Sequence, residues 1–191
     1  MRKTALVSLV AALPLLATLP AQAATYKIDP AHTFATFEID HFGASVNRGR
    51  FDKKSGTVEF DKAAKKGKVT LEIDAASINS GTPDFDKHLK TADFFNVEKH
   101  PTIRFVSDKF VYDGDKLKEV TGKLTLLGQT HPITFKANQF TCYPNPMVKT
   151  EACGGDFVAE IDRTQWGMNW GVNMGMPKKV RIIAQIEAFK Q

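Results

Sequence analysis

The sequence has no GxSxG elbow, no HExxH, no GxxxxGK[ST] loop and no GxGxxG fingerprint. The local signatures of serine hydrolases, zinc proteases, phosphate-loop NTPases and dinucleotide enzymes are therefore absent. The serines beyond the first 23 residues (Ser45, Ser55, Ser77, Ser80, Ser107) stand in no recognisable nucleophile context. Its five histidines, His32, His41, His88, His100 and His131, include no i,i+2 or i,i+4 pair, so no local metal-ligand spacing exists. There are only two cysteines, with no CxxC and no nearby histidine. Excess charge is small, +5 over 191 residues, which argues against nucleic acid as a partner. The densest basic stretch, Lys62-Ala63-Ala64-Lys65-Lys66-Gly67-Lys68, lacks the interleaved aromatics of a single-strand binder and reads as a solvated turn. Repeats, low-complexity tracts and interdomain linkers are absent as well.

Long apolar runs are confined to the N-terminus. Arg2 and Lys3 precede an apolar run over 5–16, and Ala21-Gln22-Ala23 supplies a small-x-small cleavage site. The run is too short to span a bilayer, and the three parts together predict a secretory signal peptide over 1–23. A single mature domain over 24–191 is expected, in the periplasm or secreted. Its 168 residues suffice for a substantial core, and with Arg2 and Lys3 gone its net charge is +3. No later stretch is apolar for long enough to cross a membrane. In an oxidising compartment an even cysteine pair predicts a disulfide, Cys142 to Cys153. Both cysteines fall in a segment rich in Pro, Asn, Thr and Gly, which reads as a loop.

Period-two alternation then dominates, with runs at 32–40, 54–60, 68–74, 102–112, 116–127, 131–140, 156–162 and 179–189. Asp113-Gly114 and Leu127-Gly128-Gln129-Thr130 have hairpin-turn composition, and most links are short. These signs predict an all-β antiparallel meander, either a sandwich or a closed up-and-down barrel. One stretch breaks the period. Over 83–95, Phe85, Leu89 and Ala92 recur at helical spacing behind Thr82 as N-cap and Asp84 in the first turn, which predicts a short helix. In the first long run Phe34 faces one side, and Phe37 and Ile39 the other. Two apolar faces need a second cover, from the helix or from another subunit, which admits a homodimer. Closure would remove exposed edges, so a barrel is favoured.

What the sequence has in plenty is phenylalanine: fourteen, against three Tyr and two Trp. A lining that receives an apolar ligand without hydrogen-bond demands favours Phe, Met and aliphatic residues. Trp166, Met168, Trp170, Met174 and Met176 crowd into eleven residues near the C-terminus. They read equally as ligand contacts or as a packed plug at a barrel end.

An ordered set of landmarks runs along nearly the whole chain after the leader. Tyr26-Lys27-Ile28-Asp29 is followed by His32, His41-Phe42, Arg50-Phe51 before Gly56, and Asp86-Lys87-His88-Leu89. Then come Asp93-Phe94-Phe95, Pro101 ahead of Ile103-Arg104-Phe105, Gly122-Lys123-Leu124-Thr125 with Gly128, and Arg163 before Trp166-Gly167. In these features the chain resembles the YceI-like family of bacterial polyisoprenoid-binding proteins. The resemblance implies a lipocalin-like, extended eight-stranded antiparallel β-barrel whose elongated cavity holds an isoprenoid or similar long-chain amphiphile. It also implies a periplasmic or secreted location and no catalytic activity. The Cys142…Cys153 segment with Pro144 and Pro146 departs from the pattern as an insertion-like loop.

The reading is thus a periplasmic carrier for an isoprenoid lipid, a polyprenyl phosphate or a prenylated quinone, with no catalytic residue, metal or cofactor. Phe37, Phe51, Leu89, Phe94, Phe95, Trp166 and Met174 are the expected tail contacts. His88, Arg50 and Arg163 are the expected head-group contacts, with Lys178-Lys179 available to an anionic head. Arg163 has a second reading, closing a barrel end through backbone carbonyls. Two rivals remain: a lipid-modifying enzyme using His88 with Asp86 or Asp93, and an envelope-stress interaction protein whose barrel holds no ligand.

Overall fold

The computed structural model describes residues 23–191, so the leader expected at 1–23 lies, but for its last residue, outside the described residues. Among the described residues eleven strands occur: β1 (Ala24–Ile28), β2 (Phe34–His41), β3 (Ser45–Phe51), β4 (Lys54–Asp61), β5 (Lys66–Asp74), β6 (Ile78–Asn79), β7 (Thr102–Asp113), β8 (Lys116–Leu126), β9 (Gln129–Asn145), β10 (Thr150–Asp162) and β11 (Lys179–Lys190). The one α-helix among the described residues, α1 (Pro83–Leu89), lies between β6 and β7.

Six of the strands are halves of three longer ones. Along one edge of β11, β2 pairs with Arg181–Gln185 and β1 with Ala188–Lys190. Next to them β3 pairs with β2 and β4 with β1, and then β6 pairs with β3 and β5 with β4. Counting each collinear pair once gives eight strands, all antiparallel, and the β1–β11 pairing closes them into a barrel. Closure gives every full barrel strand a neighbour on each side, but β6 covers β3 only at Arg50 and Phe51, so residues 45–49 remain an edge.

Alternation explains which residues fill it. Ile103 and Phe105 on β7, Leu124 and Leu126 on β8, and Ile133 and Phe135 on β9 are all buried, with exposed neighbours such as Arg104, Lys123 and Thr134 between them. Phenylalanine serves a second purpose here. An ideal Cβ at Gly49 would lie 2.5 Å from the Phe37 ring, and one at Gly67 2.5 Å from the Phe110 ring. The rings therefore lie over bare backbone on the inner wall, which only glycine permits. Phe34, on the outer face of β2, has the Lys54 ammonium 5.0 Å above its ring. A neighbouring lysine thus gives it partial cover within the chain itself.

Three expectations need correction. Strands β1, β3 and β6 were not anticipated, because they are short or carry little apolar alternation. The helix ends at Leu89 instead of reaching 95: Thr82 caps it without a side-chain hydrogen bond, and Ala92 is exposed. Phe94 and Phe95 are buried from the turns that follow, where the Phe95 amide donates to the Leu89 carbonyl at 3.0 Å. The cysteines, finally, are not in a loop. Cys142 and Cys153 face each other in the β9–β10 ladder, bonded with Cα atoms 4.0 Å apart.

At the barrel end holding this hairpin, the Tyr26 hydroxyl donates to Glu151 Oε1 at 2.6 Å, and the Lys62 ammonium pairs with the other oxygen. Lys62 and the Tyr26 hydrogen bond hold the Glu151 carboxyl below its ordinary value of 4.5, while burial, then Glu151, push the Tyr26 phenol far up. A carboxylate with a lowered pKa stabilises the fold above its ordinary value, and that contribution fades as pH falls through the folded-state value. Urea midpoints should therefore drop below pH 4.5. Glu151→Gln should remove about 1 kcal/mol at most of that pH dependence, the pair being partly exposed. An unchanged acid slope in the variant would contradict this assignment.

Candidate ligand-binding site

Inside the barrel runs a cavity of about 510 Å³, within the usual range for small-molecule sites, roughly 300–1,000 Å³. Its floor lies at the Glu151 end and is made by Tyr26, Phe60, Phe110, Leu117 and Phe140, all buried or half-buried. The Phe60 and Phe140 rings meet edge to face at 5.6 Å. Its middle is walled by Leu71, Ile73, Phe105, Phe135, Ile182 and Ala184. Its mouth is at the opposite end, where Phe42, Trp170 and Met174 line the opening and are also exposed to solvent.

Three chain segments shape that mouth. The first is the β2–β3 hairpin, turned by Phe42 and Gly43 in the left-handed region (φ 57 and 73). The second is α1 with the turns after it. Asp86 accepts from the Ser80 amide and hydroxyl, both at 2.6 Å, fixing the helix start, and Leu89 anchors the helix in the core. His88 then reaches the cavity: its Nε2 is 3.0 Å from Asp93 Oδ2, and its ring edge meets Phe94 at 5.0 Å and Trp170 at 4.9 Å. The third segment joins β10 to β11. Asp162 caps a single 3₁₀ turn by accepting from the Thr164 amide at 2.9 Å, and left-handed Gly167 ends it.

Arg163 organises the third segment. It is only 2% exposed and donates to the carbonyls of Pro177 (3.0 Å), Met168 (3.2 Å) and Trp170 (2.9 Å). Burial pushes its pKa down from the ordinary arginine value, yet a guanidinium stays charged in proteins. Arg163 makes no ion pair among the described residues; its charge is met by carbonyl dipoles, which bind both ends of the loop carrying Trp170 and Met174.

Residues 26–188 match the family model of the YceI-like domain. The chain belongs to the YceI-like family. A UPF0312 protein of Pseudomonas putida is 41% identical over 120 residues, which is 61% of this chain and 62% of that protein's length. A UPF0312 protein of Pseudomonas syringae pv. tomato is 39% identical over 140 residues, 72% of this chain and 73% of the relative. Among solved structures, Burkholderia cenocepacia BcnA superposes with a TM-score of 0.71 at 26% identity, over 84% of this chain and 99% of BcnA. A polyisoprenoid binding domain from Saccharophagus degradans gives a TM-score of 0.66 over 88% of this chain and 99% of that domain. At 14% identity, that likeness concerns the fold alone.

In this YceI-like chain the cavity wall gathers Phe37, Phe51, His88, Leu89, Phe94, Phe95, Arg163 and Met174 of the residues singled out in the sequence. Phe37, Phe51 and Phe95 form one cluster, with Phe51 and Phe95 edge to face at 5.2 Å. Arg50 is not brought there. It alternates with inward Gly49 and Phe51, so its side chain is outside, paired with Asp52 at 2.8 Å. Trp166 sits behind the wall as a packed plug, its Nε1 donating to the Leu124 carbonyl at 3.1 Å and its ring against His131. Sequence reasoning missed the floor residues Phe60, Phe110 and Phe140, and also Asn47 and Phe42 at the mouth. Period two around the exposed Arg48 and Arg50 was the available signal for Asn47.

The polar equipment is slight. Among the described residues, no group of three or more His, Cys, Asp or Glu side chains is placed to hold a metal. The described lining includes no serine, and its only cysteine is disulfide-bonded. The His88–Asp93 pair is the arrangement nearest to an acid–base device, and Asp86 is engaged with Ser80 instead.

Proposed function

We propose that this chain is a periplasmic carrier that holds one long-chain isoprenoid lipid along the barrel axis. One observation carries the reading: a continuous cavity runs from the Phe60–Phe140 floor to the Trp170–Met174 mouth, and its lining is almost wholly carbon. A twelve-residue strand such as β11 rises about 3.3 Å per residue and tilts by roughly 40° in such barrels. The tunnel is therefore about 30 Å long, suited to a slender chain. Removing that chain from water is favourable by about 25 cal/mol per Å² of apolar surface. The solved polyisoprenoid binding domain of the same fold supports the ligand class. The leader expected from the sequence and the Cys142–Cys153 pair support an oxidising compartment.

The lining favours a neutral, hydrogen-bonding head such as a quinone over a phosphate. Arg163 is committed to three carbonyls, Arg50 faces out, and Lys178 and Lys179 do not line the cavity. His41, Asn47 and His88 remain at the mouth to meet a head group. Prenyl-quinone affinity should accordingly change less than about twofold between roughly 0.05 and 0.5 M salt. Steep weakening would instead point to an anionic head. The direct test is mass spectrometry of organic extracts from protein purified out of its native envelope. A stoichiometric prenyl lipid is expected, and extracts free of lipid would sink the carrier reading. The His88–Asp93 pair gives the enzyme reading its one foothold. Prenyl lipid recovered chemically unchanged after long incubation with the protein would remove it.

A further inference from the structure

The two ends of the bore differ in access. At the mouth Phe42, Trp170 and Met174 line the cavity while 57%, 37% and 56% exposed. At the floor Tyr26, Phe60 and Leu117 line it at 1%, 5% and 6%. A tail entering by the mouth therefore meets a closed end. Three rings form the barrier there: Phe60 meets Phe140 edge to face at 5.6 Å and Phe110 at 6.1 Å. The outer two rings sit where the facing backbone is bare. Phe110 lies over Gly67, and Phe140 stands opposite Gly155 in the β9–β10 ladder. Behind the rings comes a second layer. Tyr112, two residues past Phe110 on β7, and Cys142, two past Phe140 on β9, pack against the core without lining the cavity. Cys142 is bonded to Cys153, and the Tyr26 hydroxyl is held by Glu151. Side chains from five strands thus fix the floor, and a ring that swung aside would forfeit close packing.

A fixed floor gives the bore a definite length. On β8 the lining runs from Leu117 at the floor through Val120 and Leu124 to Leu126. At about 3.3 Å per residue and a tilt of roughly 40°, that stretch spans about 23 Å of the axis. The mouth segments carrying Trp170 and Met174 bring the apolar wall to the full tunnel length of about 30 Å. A prenyl unit adds four chain bonds of about 1.5 Å or less, which advance an extended chain by about 5 Å. The tunnel therefore takes about six units. Up to that number each added unit buries more apolar surface. Beyond it the end of the tail stops at the rings. The surplus then stays in water at the mouth and holds the head away from His41, Asn47 and His88.

We propose that the Phe60, Phe110 and Phe140 floor is a ruler, which makes this site selective for prenyl tails of about six units. The ruler rests on the carrier reading and adds tail length to it as the specificity. The test offers lipid-free mature protein, disulfide intact, an equimolar mixture of prenyl benzoquinones. They share one head, and their tails lengthen unit by unit past the capacity of the tunnel. Bound homologues are quantified by mass spectrometry and corrected for their partition into protein-free detergent micelles. Retention should climb to about six units and then level off or fall. Phe140→Ala should move that maximum at least one unit longer. Ala184→Phe, which fills the middle of the bore rather than opening a hole, should cut it to about three units. If melting shows that Phe140→Ala does not fold, Ala184→Phe decides alone. Retention that ignores length, keeps climbing past the tunnel's capacity, or peaks at the same length in every folded variant would overturn the ruler and leave the carrier standing. Retention of no homologue would overturn both.

Discussion

On the carrier reading, lipid-free protein should melt about 8–16 °C below protein loaded with a long prenyl quinone. A ligand that binds only the folded state stabilises it by RT ln(1 + [L]/Kd), about 4 kcal/mol at a thousandfold excess over Kd. For a chain of this length each kcal/mol moves the midpoint by roughly 2–4 °C. The cavity gives the effect a structural basis, because Phe37, Phe105 and Phe135 all line it, and of these three only Phe105 and Phe135 also meet each other. Reloading with a long prenyl quinone should restore the midpoint. A short-chain analogue at equal concentration should restore less, since each buried methylene contributes about 0.8 kcal/mol. Phe94→Arg should abolish the rescue while the barrel still folds, because Phe94 lines the mouth rather than a strand. Differential scanning fluorimetry across these samples decides it. Equal midpoints with and without prenyl lipid would make the phenylalanines ordinary core.

Arg163→Leu should cost about 3–5 kcal/mol, because three carbonyls lose a charged hydrogen-bond donor at once. Leucine fills much of the space but leaves the carbonyls of Pro177, Met168 and Trp170 without their donor. Each orphaned acceptor costs about 1–3 kcal/mol unless water reaches it. The midpoint should fall by roughly 6–20 °C, and limited proteolysis should begin between 167 and 178. Arg163→Lys should recover only part of this, having no planar fork to reach three acceptors at once. Because the same loop carries Trp170 and Met174, prenyl affinity should fall with stability in both variants. A Leu variant within about 1 kcal/mol of the parent would show that the loop is held by something other than Arg163.

The parts of the barrel that were legible in the sequence are those whose inward positions carry large apolar side chains. On β11, Val180, Ile182, Ala184 and Ile186 announce an inner face by themselves, and all four line the cavity. Strand β3 was hidden for the converse reason. Its inward positions are Asn47, Gly49 and Phe51, and the volume above Gly49 is filled by the Phe37 ring from β2. Pattern reading attributes that bulk to the wrong strand. The cysteine hairpin reads as a loop in sequence because Pro144, Asn145 and Pro146 dominate its composition, yet the β9–β10 ladder continues as far as Asn145 and Thr150. At the site, Arg50 and Phe51 are neighbours in sequence and opposites in the sheet, so one residue of register separates ligand wall from solvent. Trp166 and Trp170 differ less visibly. Only a tertiary contact, the Leu124 carbonyl, takes the first into the wall and leaves the second at the mouth.

The seam between β1 and β11 has a consequence for biogenesis. Tyr26 is paired with Lys190 and Ile28 with Ala188, so the first and last described strands complete each other. A chain emerging N-terminus first can zip its sequential hairpins as they appear, yet the cylinder cannot shut until β11 is delivered. Until then β1 has only β4 beside it, and the apolar bore lies open along its whole length. Such end-to-end contacts are slow to form, and the half-built sheet is a sticky intermediate. The adjacency also makes the ends joinable. A short linker from the C-terminus to Ala24, with new termini cut at Asp113-Gly114 between β7 and β8, would relocate the last step of assembly without altering a single wall residue.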